Sequence, residues 1–254
     1  MKIASWNVNS LKVRLPQVLD WINLNQPDVL CLQETKQNND NFPHEVFEKR
    51  DLFSYHNGQN TYNGVAIISK KKLIDVQFDI PNFYDEQKRL ISGIYSNGEG
   101  TNIRVISAYI PNGQSLNSDK FEYKMNWLKS FISSLQKKID GVENIITGDF
   151  NIAPTTLDCY DSKSWDGKIL VSPQERQYFD KLLNLGFIDT FREMNPNANE
   201  FSWWDYRIPF KRNLGMRIDH ILLSKNLLTF LKKAYIDKTT RSLDRPSEHV
   251  QVVI

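Results

Sequence analysis

The chain opens on a mostly apolar run, residues 2–7, of the kind a buried strand needs, and the run ends in polar Asn7 and Asn9. Leu15, Val18, Leu19 and Ile22 then recur at helical spacing, and Pro27 closes that segment. Residues 28–33, Asp-Val-Leu-Cys-Leu-Gln, read as a second strand running into Glu34. Strand, helix and strand within about thirty residues predict a parallel pair, because a helical crossover lets both strands run the same way. Asn7 and Glu34 then share the carboxyl end of the sheet, which is where ligands bind in open α/β sheets.

Further strand-like runs lie at 64–69, 90–96 and 102–109, with a Ser96-Asn-Gly-Glu-Gly turn between the last two. That turn predicts antiparallel neighbours and a mixed sheet. Phe121, Met125, Leu128, Ile132, Leu135 and Ile139 mark one face of a long helix, with Gly141 as its expected cap. Residues 144–147 form another strand, which runs into Gly148-Asp149-Phe150-Asn151. Ser172-Pro-Gln-Glu175 is a capping box that starts a helix, and Gly186 ends it. Residues 218–223 and 250–254 read as late strands, each preceded by polar residues. The pattern is α and β interleaved, with polar tips on several strands.

Composition narrows the class more than the chemistry. With 254 residues, 40% of them hydrophobic and 24% charged, the chain reads as one compact domain over 1–254 rather than a disordered or fibrous one. No apolar run approaches the roughly 20 residues a membrane span needs. The opening MKIASWNVNSLK is polar where a secretory signal needs an apolar core, so the cytoplasm is the expected setting. Cys31 and Cys159 are too few for a disulfide framework and fit no zinc spacing. The net charge of +2 says little about partners, since a balanced total can hide a basic face and an acidic cleft.

The chemistry sits at the strand tips: Asn7, Asn9, Glu34, Tyr109, Asp149, Asn151, Asp219, Glu248 and His249. Carboxylates and amide oxygens without a thiolate or multi-histidine group suit a hard cation, Mg²⁺ or Mn²⁺, over structural zinc. One histidine beside such a site fits phosphate ester hydrolysis, in which a metal and fixed donors meet the charge that develops on phosphoryl oxygens. Taken singly, each residue has a plain structural reading: an Asx turn for Asn7 or Asn9, a solvated carboxylate for Glu34, a packing aromatic for Tyr109. Their shared placement carries the argument.

Seven motifs stand in order: Trp6-Asn-Val-Asn-Ser-Leu-Lys, Gln33-Glu-Thr-Lys, Tyr109-Ile-Pro-Asn-Gly, Gly148-Asp-Phe-Asn-Ile-Ala-Pro-Thr, Phe201-Ser-Trp-Trp-Asp-Tyr-Arg, Arg217-Ile-Asp-His and Ser247-Glu-His. Together they resemble the exonuclease III family of abasic-site endonucleases, within the DNase I-like phosphodiesterases, over the whole chain. The resemblance implies a four-layer α/β sandwich of two packed mixed sheets flanked by helices, with the active site at one rim. It implies that Glu34 is the principal metal ligand with Asn7 contributing to the metal site beside it, and that Asp149 activates or orients the attacking water. It assigns Asn151 to orienting the phosphate and stabilising the transition state, and counts Asp149 and Asn151 as further metal ligands. Tyr109 and His249 would touch the scissile phosphate, His249 being held by Asp219. The family usually has Ser-Asp-His where this chain has Ser247-Glu248-His249, so Glu248 is an expected metal-side ligand with one added methylene, reaching the ion from a shifted backbone or through water.

Trp203, Trp204 and Tyr206 followed by Arg207, Lys211, Arg212 and Arg217 suit a nucleic-acid surface, where cations neutralise phosphate and rings stack. The resemblance places a pocket for an extruded abasic sugar here, with Trp203, Met216 and Ile218 as walls. Asn9 and Lys36 join Arg207 and Arg217 as expected DNA contacts. Lys70-Lys-Lys72 reads as a solvated turn. The expected function is Mg²⁺-dependent cleavage of duplex DNA 5′ to abasic sites, with removal of 3′-terminal nucleotides or blocking groups, by a monomer. Two rivals are a phosphodiesterase acting on another phosphate ester and a non-catalytic nucleic-acid-binding relative.

Overall fold

The computed structural model describes residues 1–96, 102–137 and 139–254. Twelve strands and six α-helices succeed one another as β1 (Ile3–Asn7), α1 (Leu11–Asn25), β2 (Val29–Gln33), α2 (His44–Glu48), β3 (Phe53–Asn57), β4 (Val65–Ser69), β5 (Ile74–Phe78), β6 (Leu90–Ser96), β7 (Asn102–Tyr109), α3 (Asp119–Leu135), β8 (Val142–Asp149), α4 (Ser162–Trp165), α5 (Pro173–Asn184), β9 (Phe187–Asp189), α6 (Thr190–Met194), β10 (Asp219–Ser224), β11 (Tyr235–Asp237) and β12 (Gln251–Val253) among the described residues. They build two six-stranded sheets, ordered β11-β12-β1-β2-β4-β3 and β5-β6-β7-β8-β10-β9.

Alternation along the strands makes the layers. In β1, Ile3 faces the opposite sheet with Val29, Cys31, Val105, Ile145 and Ile221, while Ala4 and Trp6 face α1 through Val18, Trp21 and Ile22. On the far side, Ile106, Ala108 and Ile146 pack against Trp127, Leu128 and Phe131 of α3 and Phe179 and Leu182 of α5. Helix, sheet, sheet, helix is the four-layer sandwich expected, both sheets being mixed.

One parallel pair in each sheet aims its carboxyl end at the same rim. β1 runs parallel to β2, with Asn7 opposite Gln33, and β7 runs parallel to β8, with Tyr109 opposite Asp149. β10 and β12 run antiparallel to these pairs and therefore begin at that rim: Asp219 lies opposite Asp149, and His249 precedes β12. The topology thus gathers six polar positions from distant parts of the chain.

Most predicted elements fall where the pattern put them. The capping box of α5 forms, with Ser172 and Glu175 each bonding the other's backbone N–H. α1 stops at Asn25, and left-handed Gln26 caps Ile22 just before Pro27. α3 departs from expectation by ending at Leu135. Ile139 lies beyond it, 45% exposed, and Gly141 (φ +72°) leads into β8 instead of capping the helix. Helical spacing at Ile139 is therefore fortuitous, because the apolar layer under α3 has already ended. The predicted turn after Ser96 falls at residues 97–100, outside the described residues.

Candidate active site

Asn7 is the joint of the rim. Fully buried at the end of β1, it donates through Nδ2 to Glu34 Oε1 at 2.8 Å and to Asp149 Oδ2 at 2.9 Å. Its own Oδ1 accepts from Asn9 N, and its carbonyl accepts from Ser247 Oγ at 2.7 Å. One amide therefore fixes carboxylates from both sheets. Lys36 Nζ reaches Glu34 Oε2 at 3.0 Å and Asn9 Oδ1 at 2.5 Å, closing the outer edge. Glu34, Lys36 and Asn151 all hold positive φ (52°, 53° and 50°), an uncommon conformation for residues with side chains and one that concentrates at functional positions.

Asp149 reaches the rim because Gly148 allows β7 and β8 to close tightly. Gly148 has φ +146°, and a Cβ there would lie 1.8 Å from the Ala108 carbonyl oxygen. Asp149 Oδ1 then accepts the Asn151 backbone N–H at 2.9 Å. The Asn151 side chain donates from Nδ2 to Ile110 O and accepts at Oδ1 from Asn112 Nδ2. Tyr109 sits beside them, with the Arg89 guanidinium 4.6 Å from its ring centroid.

His249 faces Asp149 across the site. Its Nδ1 bonds Asp219 at 2.9 and 3.1 Å, and its Nε2 is 3.7 Å from Asp149 Oδ2. Asp219 also accepts from Ser202 Oγ, and the Trp6 indole donates to the His249 carbonyl. Burial opposes charge on His249, but Asp219 and Asp149 outweigh it and push the imidazole up to about 9. Burial, then Asp219 and Glu34, raise Asp149 above the ordinary carboxylate range against the pull of His249 and Asn7. Burial acts upward on Glu34 too, yet Lys36, Asn7 and His249 hold it below its usual value. Tyr109 is pushed well up by burial and Glu34, so its phenol keeps its proton. A proton at neutral pH therefore sits on His249, between Asp219 and Asp149.

Carboxylate oxygens of Glu34 and Asp149, tied to one amide at the rim, fit a hard divalent cation. Ligand atoms of Glu34, Asp149 and His249 lie within 4.8 Å of one another. Glu248 stands outside this group: its Oε1 accepts the Tyr206 backbone N–H at 3.0 Å. The longer side chain turns toward the 205–207 loop.

The remaining expected contacts divide. Asn9 and Lys36 line the rim. Arg207 is exposed and forks onto Asp205. Trp203 is half-buried, its ring 6.5 Å from that of His249. Trp204 is buried, donating to Asn213. Met216 and Ile218 are 0% and 2% exposed, packed with Leu170, Val171 and Ala153 in an apolar cluster. Arg217 departs from the surface expectation: it is fully buried, bonded to Asp158 at 2.7 Å, to Asp189 at 2.7 and 3.0 Å and to His220. Two buried carboxylates satisfy its guanidinium and leave it no route to solvent. Ser202, Ser247, Asn112 and Arg89 support the site without having been singled out. The first three lie inside the quoted motifs, whereas Arg89 acquires its role only through the pairing of β6 with β7.

A carboxylate-held imidazole facing a carboxylate pair at the rim of a four-layer sandwich defines a class, the metal-assisted phosphoester hydrolases. A family model described as the Endonuclease/Exonuclease/phosphatase family matches residues 4–249. Exodeoxyribonuclease III of Haemophilus influenzae is 37% identical over 264 residues, covering 99% of this chain and 98% of its own. A 3′ phosphatase from Neisseria, solved bound to a product DNA hairpin, superposes with TM-score 0.95 at 42% identity, covering all of this chain and 98% of that one. An AP endonuclease from Archaeoglobus fulgidus gives TM-score 0.94 at 34% identity, with the same coverage. The chain belongs to the endonuclease/exonuclease/phosphatase family, in its exonuclease III and AP endonuclease branch, and is a nuclease of that branch. Among the described residues no helix is long and apolar enough to cross a membrane.

Proposed function

We propose that the protein is a Mg²⁺-dependent DNA-repair phosphodiesterase, able to use Mn²⁺, that acts on duplex DNA at abasic sites and at damaged 3′ ends. One observation carries the reading: Asn7 locks Glu34 and Asp149 together while Asp219 holds His249 facing them. Glu34 and Asp149 would hold the cation, which supplies Lewis-acid stabilisation of the phosphoryl oxygens when bound.

The chain's own groups do the rest. Asp149, raised to about 7 by burial but drawn toward its ionised form by the His249 imidazolium, takes the proton of the attacking water when ionised. His249 presents its Nε2 proton to a phosphoryl oxygen, its tautomer and orientation set by Asp219 at Nδ1. Asn151 has one Nδ2 hydrogen committed to Ile110 O and offers the other to the phosphate. Tyr109, kept protonated by burial and by its carboxylate neighbours, is a further neutral donor at the same rim. Lys36 and the exposed Arg207 are cations for backbone phosphates. The working form is a monomer in the cytoplasm, where the buried thiols of Cys31 and Cys159 stay reduced.

The burial of Met216 and Ile218 in a packed apolar cluster favours 3′-end processing as the dominant activity. An extruded sugar has to displace packed side chains there, whereas a 3′-terminal phosphate needs no such entry. Labelled duplexes bearing a 3′-phosphate, a 3′-hydroxyl or an internal abasic analogue, each with Mg²⁺ or chelator, test this. Metal-dependent release of the 3′-phosphate should be fastest; no cleavage of any of the three sinks the reading.

A further inference from the structure

Lys124 has no place in the chemistry above, yet it is completely buried in α3, within the apolar stripe that carries Phe121 and Leu128. An apolar side chain of the same length would fill that stripe without stripping water from an ammonium. What a lysine adds is three directed donors, and all three are used. One meets Glu175, itself fully buried. The second donates to the Asn151 carbonyl at 2.8 Å and the third to the Asn112 carbonyl at 3.2 Å.

Those two carbonyls belong to the residues whose side chains lock each other, Asn112 Nδ2 donating to Asn151 Oδ1 at 2.9 Å. The ammonium therefore grips both from behind. Glu175 fixes the far end of the grip, accepting from Leu170 N, Ser172 N and Ser172 Oγ at the start of α5. Asn151 needs such support, because it sits at positive φ two residues past the Asp149 strand end.

We propose that Lys124 is a positioning residue, whose buried ammonium, countered by Glu175, sets the direction of the Asn151 amide through the Asn112 and Asn151 carbonyls. The inference rests on Asn151 donating to the phosphate, as read above. Lys124 touches no substrate and acts only through its neighbours.

Four variants test it, with kcat and KM for 3′-phosphate release measured beside thermal stability. Lys124→Met alone leaves the Glu175 charge buried and unpaired, so the informative form is Lys124→Met with Glu175→Gln. That double variant gives up one acceptor for the N–H groups at the start of α5 and both carbonyl bonds, so it should melt below the wild type yet stay folded at the assay temperature. It should lose about 10–100-fold in kcat, with KM within about threefold, the signature of a misdirected transition-state donor. In an Asn151→Ala background the same pair should cost less than about threefold, because the two act as one unit. Asn112→Ala, which leaves the ion pair intact, should lower kcat about tenfold. Wild-type kcat in the double variant or in Asn112→Ala, or equal losses in both backgrounds, overturns the inference. Wild-type kcat in Asn151→Ala alone instead refutes the role of Asn151 itself.

Discussion

Gly148→Ala is the smallest change that tests how the rim is built. The new methyl would lie 1.8 Å from the Ala108 carbonyl oxygen, where carbon and oxygen normally keep about 3.3 Å or more, so β7 and β8 must part by over about 1 Å. The displaced segment carries the Ala108–Gly148 and Tyr109–Asp149 pairings and the Ile110 N–H to Asp149 carbonyl bond of 2.9 Å. Weakening two or three such bonds, each worth about 1 kcal/mol net, predicts a loss of about 2–3 kcal/mol. Moving Asp149 by about 1 Å from its partners predicts a roughly 100-fold loss of kcat in molecules that still fold. Urea denaturation gives the first quantity and single-turnover release of a 3′-phosphate the second. A variant with the wild-type midpoint and rate would refute the claim that close approach at Gly148 sets the carboxylate.

Asp219→Asn keeps the shape but removes the charge that holds His249 protonated, so the loss of activity as pH rises through about 9 should move to lower pH, with kcat down roughly 100-fold at neutrality; an unmoved alkaline limb in the pH–rate profile counts against it. Arg217→Met strands Asp158 and Asp189 and should cost about 3–5 kcal/mol in denaturant unfolding. Arg207→Ala, at the surface, should change stability by less than about 0.5 kcal/mol and instead weaken DNA retention. Burial lowers His56 to about 3 and His220 to about 4, the latter with the help of Arg217, so the fold keeps both neutral where the unfolded chain binds protons. Their stabilising contribution is complete above about pH 6.5 and falls with acidification, by up to about 1.4 kcal/mol per pH unit for each histidine; denaturant midpoints at pH 7, 6 and 5 should decline accordingly. Glu248→Gln keeps the Tyr206 bond and should shift calorimetric Mg²⁺ affinity by less than about threefold, whereas a tenfold weakening would make Glu248 a ligand.

How far the chain could be read without coordinates depended on whether position or contact was at stake. Strand tips were legible, because buried parallel strands write apolar runs with abrupt polar ends: Asn7, Glu34, Tyr109 and Asp149 all fall at the rim. Edge strands were not. β5 exposes Ile74 and Phe78, and β9 and β11 have three residues each, too few to show a period. The bond between His249 and Asp219 spans 30 positions and exists because β10 and β12 both start at the rim, which local pattern does not encode. Arg217 was misplaced for a related reason. A cation among aromatics reads as a surface until its partners Asp158 and Asp189, 59 and 28 positions away, are seen to close over it. Lys124 likewise passes for an exposed position on an amphipathic helix, because its anion lies 51 residues downstream.

The central claim is that Glu34 and Asp149, joined by Asn7, hold a divalent cation for phosphodiester chemistry. Its most direct test is calorimetric titration of Mg²⁺ into wild-type protein and into Glu34→Gln, alongside 3′-phosphate release from a labelled duplex at each metal concentration. The account predicts saturable binding in the wild type, release that tracks occupancy, and loss of both in the variant. Release that survives chelation, or is unchanged in Glu34→Gln, would contradict it.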